Sequence, residues 1–331
     1  MKNIASFFLL LATFSALGCT SKHSDVAQGP GLVPVKLMLN WFPEAEHGGF
    51  YAAKVHGIFE KYGLEVEILP GGPKAPVAQE LVTGRVEFAI GNADDVLLFR
   101  QQEAPVVAVM APMQNTPRCI LVRQDSDINN FSDLKGHLLQ ANKGRAFLDF
   151  LQAQGLLDGV QVVPYNGNVS QLVSDRSTAI QAYSFSEPLM ASQQGVATRS
   201  MMLSDIGFNP YASCLIVTES LIDANPELVS KMVQASCEGW RRYLADPSQT
   251  NEYILSQNQF GMTAEALQFG AEQLGKLCRP EGLSENEIGA MSAERWETLV
   301  NQLTKLKLID SAHVSSERVF NLKFLKTEKV D

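Results

Sequence analysis

"LNWFPEAEHGGFYAAKVHGIFEKYGLEVEI", residues 39–68, decides the fold. It begins at the end of a short apolar run, "VKLML". Helical patterning then runs from about Glu46 to Lys61, and in "LEVEIL" Leu64, Val66 and Ile68 share one side of an alternating strand. Strand, helix and strand in close succession make a βαβ unit, whose two strands pair in parallel. The loop between the first strand and the helix carries Trp41, Phe42, Glu44, Glu46 and His47, an unusual concentration of aromatic and charged side chains.

The same rhythm extends outward. A helix near Pro76 to Thr83, "VEFAI", a helix near Asp94 to Gln102 and "PVVAVMA" follow. After "RCILVRQ" a second set reads "HLLQA", a helix near Arg145 to Ala153, "VQVVPY", a helix near Val169 to Ser174, "TAIQAY" and a helix from Glu187. Such alternation implies two parallel-rich sheets flanked by helices. "LVTGRVEFAIGN" (81–92) and "LVSDRSTAIQAYS" (172–184) echo one another as helix end, LVxxR and strand. Beyond "SCLIVTESLID" the pattern becomes helical only: 226–244, with Asn225 as cap and Pro226 at the first position, then 251–258, 264–275 and 293–306.

With 331 residues, 45% of them hydrophobic, the chain has enough material for two lobes with buried cores. A formal net charge of −9 leaves no basic stripe for a phosphate backbone, which argues against a nucleic-acid partner. An apolar run from Ile4 to Leu17 is too short to span a membrane and reads as a signal peptide, residues 1–18. Its end, "SALGC", resembles a bacterial lipoprotein signal, with Ala16 and Gly18 as the small residues and Cys19 as the lipidated one. An ordinary secretory signal cut nearby is the alternative. Residues 19–33 would then tether the domain to a membrane. Cys119, Cys214, Cys237 and Cys278 show no CxxC spacing, so a metal site has no support; pairing and buried free thiols both stay open.

The stretch quoted above, with "GRVEFAIGNADDVL", "DLKGHLL", "AYSFSEPLMASQQG" and "SCLIVTESLIDANPELV" in that order, resembles the periplasmic substrate-binding proteins of ABC importers. The likeness is to the branch shared by sulfonate and nitrate binders and thiamine-precursor binders. It implies a two-lobed α/β periplasmic binding protein type II fold, with a ligand cleft between the lobes and two crossing strands, here Cys119–Arg123 and Tyr211–Val217. Residues 34–119 would begin lobe one, 120–210 would form lobe two, and 211–331 would return to lobe one and add the C-terminal helices. It further implies a permease partner, a monomer, and neither cofactor nor metal.

Loops at the carboxyl ends of strands in open α/β sheets point into the ligand crevice. Trp41 and Phe42 leave the first strand there and offer aromatic surface to a flat ligand. His47 is a candidate hydrogen-bond partner, since thiamine-precursor binders tend to carry a His at this point of the motif. Glu44 and Glu46 compete with an anion for the helix N-terminus and so disfavour sulfonate or nitrate. By the internal echo, Asn92 and Asp95 on one side and Tyr183, Phe185 and Glu187 on the other are the remaining candidates. Asp94 or Asp95 is equally suited to helix capping, and Glu187 to the helix dipole. "ANKGR", 141–145, also opens a helix at a cleft-facing end. The ligand expected is a small heteroaromatic solute, foremost a thiamine pyrimidine precursor such as a formylated or hydroxymethyl aminopyrimidine, with riboflavin-like solutes as alternatives.

The rival reading is an enzyme, because the same fold includes thiamine-pyrimidine synthases that need a Schiff-base Lys and, four residues later, a donor His. Gly91 and Asp95 stand at those positions, and "NPYASCLIV" lacks the synthases' cysteine-rich run. The sequence carries no GxSxG, HExxH or P-loop.

Overall fold

The computed structural model describes residues 31–257, 261–280 and 282–325. The signal segment and Cys19 lie outside them. The chain opens with β1 (Val33–Met38), α1 (Gly48–Val55), α2 (Ile58–Lys61), β2 (Leu64–Leu69), α3 (Val77–Val82), β3 (Phe88–Gly91), α4 (Ala93–Gln101) and β4 (Val106–Met110). Then come β5 (Arg118–Arg123), β6 (Leu138–Gln140), α5 (Ala146–Ala153), β7 (Gln161–Val163), α6 (Ser170–Ser174), β8 (Thr178–Tyr183), α7 (Glu187–Ser192) and β9 (Thr198–Met202). After β10 (Cys214–Thr218) the elements are helical: α8 (Glu219–Ala224), α9 (Pro226–Ala245), α10 (Ser248–Ser256), α11 (Ala264–Cys278), α12 (Ala293–Lys305) and α13 (Ser316–Val319).

Two five-stranded sheets result, ordered β2-β1-β3-β10-β4 and β7-β6-β8-β5-β9. In the first, β1 pairs in parallel with β2 and β3, while β10 runs against β3 and β4. In the second, β6 pairs in parallel with β7 and β8, while β5 runs against β8 and β9. Each reversed strand is the first one laid down after the chain arrives from the other sheet. The sequence echo marks matched units, because β3 and β8 hold the same place in the two orders.

Two expectations need correction. The crossings do not lie in Cys119–Arg123 and Tyr211–Val217: the former belongs to β5 within the second sheet, and most of the latter to β10 within the first. The chain passes between sheets at 111–117 and 203–213, where Met113 and Ala212 form an antiparallel bridge. Nor is Glu46 to Lys61 one helix. A 3-10 turn at Ala45–His47 precedes α1, and Gly57 at φ 66° breaks the chain before α2, since that left-handed conformation cannot continue a helix.

The glycines of "HGGF" have a packing reason. A Cβ at Gly48 would stand 2.1 Å from the Tyr243 ring, one at Gly49 2.1 Å from the Trp240 ring, and one at Gly239 2.3 Å from the Gly49 carbonyl oxygen. Helices α1 and α9 thus touch backbone to ring, and Phe50 meets Trp240 edge-on at 5.9 Å. Both of those rings are fully buried, so the turn carrying Glu44 and Glu46 leads into a helix seated on the core of lobe one. Cys119, Cys214, Cys237 and Cys278 are buried free thiols, and burial pushes Cys119 and Cys237 up to about 12, far from thiolate reactivity.

Candidate functional site

The loop after β1 is fixed from behind. Gly71 donates its backbone N–H to the Trp41 carbonyl at 3.0 Å, and a Cβ there would stand 2.1 Å from the Leu39 carbonyl oxygen. A Cβ at Gly72 would come within 3.1 Å of the Phe42 ring. Trp41 and Phe42 meet at 5.3 Å, and Trp41 keeps 37% of its surface exposed. His47 is fully buried, with Nε2 3.0 Å from Asn40 Oδ1. Burial drives its pKa down to about 3, so it stays a neutral imidazole and orients Asn40.

Asn92, at the end of β3, reaches across to the second sheet. Its Oδ1 accepts from Ser213 N at 3.2 Å and its Nδ2 donates to Tyr183 Oη at 3.4 Å. Arg118, at the start of β5, donates Nη2 to the same hydroxyl at 3.1 Å. Its guanidinium lies 5.2 and 5.1 Å from the ring centroids of Phe147 and Tyr183. Ser213, in the second crossing, adopts φ 55° and donates Oγ to the Glu46 carbonyl at 3.2 Å. A non-glycine residue in that conformation at a junction of lobes is strain held in place by its surroundings.

On the second wall, Glu187 Oε2 accepts from Tyr183 N at 2.8 Å and Oε1 from the Tyr165 hydroxyl at 3.0 Å. Tyr183 and Phe185 lie 5.3 Å apart but differ in role. Phe185 is 3% exposed and packs into the lobe one core. Alternation along a strand end sends the two rings different ways. Asp95 Oδ2 accepts from Asn92 N at 3.3 Å, so Asp95 rather than Asp94 closes the first turn of α4. Its other oxygen is 3.6 Å from Arg145 Nη1, an ion pair between the lobes at the rim. Gln193 and Glu265 add a second such contact at 2.8 Å. The lobes are closed on one another.

Glu46, Asp94, Asp95 and Glu187 lie near Arg118 in this seam, and Glu44 lies near Glu46 and Glu187. Burial raises Glu44 well above the usual carboxylate range, Glu46 to about 7, Asp94 to about 6, and Glu187 as well. Glu46 Oε1 and Asp94 Oδ1 are buried without a hydrogen-bond partner. Among the described residues no group of three or more His, Cys, Asp or Glu is arranged to hold a metal ion. An acceptor-rich seam flanked by rings suits a flat solute with N–H donors better than an anion.

The family model described as NMT1/THI5 like matches residues 44–250. The chain belongs to the NMT1/THI5-like family. Among its relatives, the riboflavin-binding protein RibY of Chloroflexus aurantiacus is 27% identical over 95% of this chain and 92% of its own length. A formylaminopyrimidine-binding protein of Halalkalibacterium halodurans is 24% identical over 92% and 94%. The periplasmic aliphatic sulphonate-binding protein SsuA of Escherichia coli superposes with a TM-score of 0.66 at 15% identity, over 92% of this chain and 96% of that one. That likeness establishes the two-lobed periplasmic binding protein fold for this NMT1/THI5-like chain.

Sequence reasoning missed four residues of the site in this family member. Asn40 held no signal apart from its place before Trp41. Arg118 and Tyr165 reach the seam from the start of β5 and from a loop after β7, neither of which the strand-end echo covers. Ser213 acts through its backbone angle, which no side-chain pattern announces.

Proposed function

We propose that this chain is the solute-capturing component of an ABC importer, closing its lobes on a small heteroaromatic solute and passing it to a membrane permease. The observation that carries the reading is the seam itself: Tyr183 as aromatic surface, Asn92 as donor and acceptor, and Glu187 tied to Tyr183, with Trp41 exposed on the loop after β1. Phe42, Asp95, His47 and Phe185 complete the site by positioning these groups. A thiamine pyrimidine precursor is the preferred ligand, because its amino group supplies N–H donors to the carboxyls while its ring stacks on the aromatics. The formylaminopyrimidine-binding relative supports this. A flavin is the second reading, favoured by the likeness to the riboflavin-binding protein. The chain is a monomer in this proposal and not an enzyme: Gly91 ends β3 and Asp95 caps α4 where a pyrimidine synthase needs its Lys and His.

In this proposal the chain is exported and lipidated at Cys19, which anchors it to a membrane facing the periplasm or the cell exterior. Among the described residues, those up to Met110 and from Cys214 onward make lobe one, and Arg118 to Met202 lobe two, with 111–117 and 203–213 crossing between them. A thermal-shift screen of the mature domain against thiamine, aminopyrimidine precursors, riboflavin, taurine and nitrate tests the function, since a ligand of the folded state must raise Tm. A rise with an aminopyrimidine that is lost in Trp41→Ala and Glu187→Gln is the expected result. A rise with taurine or nitrate alone sinks it.

A further inference from the structure

Arg118 opens β5 where the first crossing enters the second sheet, and it is 6% exposed. Its guanidinium lies over the rings of Phe147 on α5 and Tyr183 at the end of β8, 5.2 and 5.1 Å from their centroids. Nη2 donates to the Tyr183 hydroxyl at 3.1 Å. All three residues belong to the second lobe, so this setting does not depend on closure. Among the described residues Arg118 forms no ion pair, and its Nε and Nη1 meet no acceptor. A buried guanidinium is costly unless its N–H groups are bonded, and here most of the fork is left over. The first lobe has the opposite shortage. Asn92 bonds Tyr183 Oη and Ser213 N, and Ser213 Oγ bonds the Glu46 carbonyl, a continuous path from Arg118 to the turn before α1. At its first-lobe end, Glu46 Oε1 and Asp94 Oδ1 are buried acceptors without a partner.

We propose that Arg118 reads a carbonyl oxygen of the solute from the second lobe, while Glu46 and Asp94 accept the N–H groups of its amine from the first. Free donors on one side of a seam and free acceptors on the other fit a neutral, planar solute that carries both groups. Its oxygen completes the guanidinium fork, and its amino N–H groups satisfy the two orphaned carboxyl oxygens. The Phe147 and Tyr183 rings already fix the guanidinium, so little side-chain freedom is lost when it bonds. An oxyanion answers only the donors and leaves Glu46 and Asp94 facing it. An amine without a carbonyl answers only the acceptors and gives the second lobe nothing to hold. A solute with both groups bonds the two lobes at once, and that differential contact favours the closed form. The role of Arg118 rests on the solute-capture function proposed above and narrows the substrate class to flat amines bearing a carbonyl.

The test is isothermal titration of the exported chain with two probes built on one ring. 4-Amino-5-formamidomethyl-2-methylpyrimidine carries a carbonyl oxygen and 4-amino-2,5-dimethylpyrimidine does not; riboflavin, taurine and nitrate are titrated beside them. Wild type is expected to prefer the carbonyl probe by on the order of 30-fold, the worth of a hydrogen bond from a charged group. Arg118→Met keeps the length of the side chain without the fork and brings the two probes to within about threefold of each other. The ratio taken within each variant cancels any loss common to both probes. Phe147→Leu leaves Arg118 in place and removes one ring that fixes it, so the preference falls to about tenfold. Asp94→Asn weakens both probes alike, because both carry the amino group. A preference that survives in Arg118→Met, or stays undiminished in Phe147→Leu where Arg118→Met does not fold, overturns the role of Arg118 and leaves solute capture intact. Equal binding of the two probes by wild type does the same. Tight binding of taurine or nitrate that is lost in Arg118→Met would make the guanidinium an anion anchor and overturn its role together with the function proposed above. Failure of wild type to bind either pyrimidine overturns the role, and failure with riboflavin as well overturns the function on which it rests.

Discussion

The two sheets share one strand order, yet they build the two sides of the seam by different means. On the first side, the turn bearing Glu44 and Glu46 is seated on α1, and α1 lies against α9 through glycines and fully buried rings. On the second side, Tyr183 and Glu187 are held by hydrogen bonds to one another, to Tyr165, to Asn92 and to Arg118. One wall is set by close packing and the other by polar bonds. Packing defects are felt through the whole lobe, whereas single polar bonds have modest net worth. The first wall is therefore the rigid one and the second the adaptable one, and each prediction below bears on that difference.

Gly49→Val strikes the packed wall. Its Cβ would enter the Trp240 ring at 2.1 Å, and the ring is buried with no room to move. Overpacking there is expected to lower stability by about 3 kcal/mol, read as a fall in the urea midpoint at unchanged slope. A variant as stable as wild type would mean that α1 slides on α9, and the first wall would not be the rigid one.

Solution pH acts on two buried titratable groups of the first wall, with opposite signs. His47 titrates at 6.5 when unfolded and about 3 when folded, so its neutral form stabilises fully above 6.5 and that contribution drains as pH falls toward 3. Glu46 goes the other way: it is raised from 4.5 to about 7, so its contribution is full below 4.5 and drains as pH climbs to 7. Each limb is expected to amount to a few kcal/mol. Urea midpoints measured across this range should show His47→Gln flattening the acid limb and Glu46→Gln the other. A midpoint curve identical in wild type and both variants would contradict the burial assigned to this turn.

Much of the fold was legible from periodicity, because strand and helix patterns repeat with turn residues between them. The echo of 81–92 in 172–184 even marked the matched units of the two sheets. The crossings were misplaced because the middles of β5 and β10 are buried apolar runs, and an apolar run does not say which sheet it joins. At the site, the sequence placed Trp41, Asn92, Tyr183 and Glu187 at strand ends, and the structure brings the last three together. It did not foresee that His47 faces Asn40 or that Phe185 enters the opposite core. Arg118 was missed for a further reason: an arginine at the end of an apolar strand looks like a solvent-facing residue until the other lobe closes on it.

Tyr183→Phe strikes the polar wall. It removes the hydroxyl at which Asn92 and Arg118 meet and leaves a buried guanidinium N–H without its acceptor. A loss of about 1.5 kcal/mol is expected, half the effect of Gly49→Val, together with a more open average shape by small-angle scattering. A loss as large as that of Gly49→Val would erase the distinction between the walls.

The smallest effect belongs to the rim. Arg145 and Asp95 approach to 3.6 Å with 40% and 22% of their side chains exposed, and Asp95 already accepts from the Asn92 backbone. Water screens such a pair, and its formation orders a long side chain, so Arg145→Ala should change stability by about 0.5 kcal/mol or less. Yet this contact joins α4 of one lobe to the start of α5 of the other, so it exists only when the lobes are closed. Its small energy then shows up in the open–closed balance, as a ligand off-rate raised by about twofold with little change in the urea midpoint. Added salt should reproduce that rise in wild type and have no further effect in the variant. If salt speeds release equally in both, the rim pair plays no part in closure, which is left to the seam between Asn92, Tyr183 and Arg118 and to the Gln193–Glu265 contact.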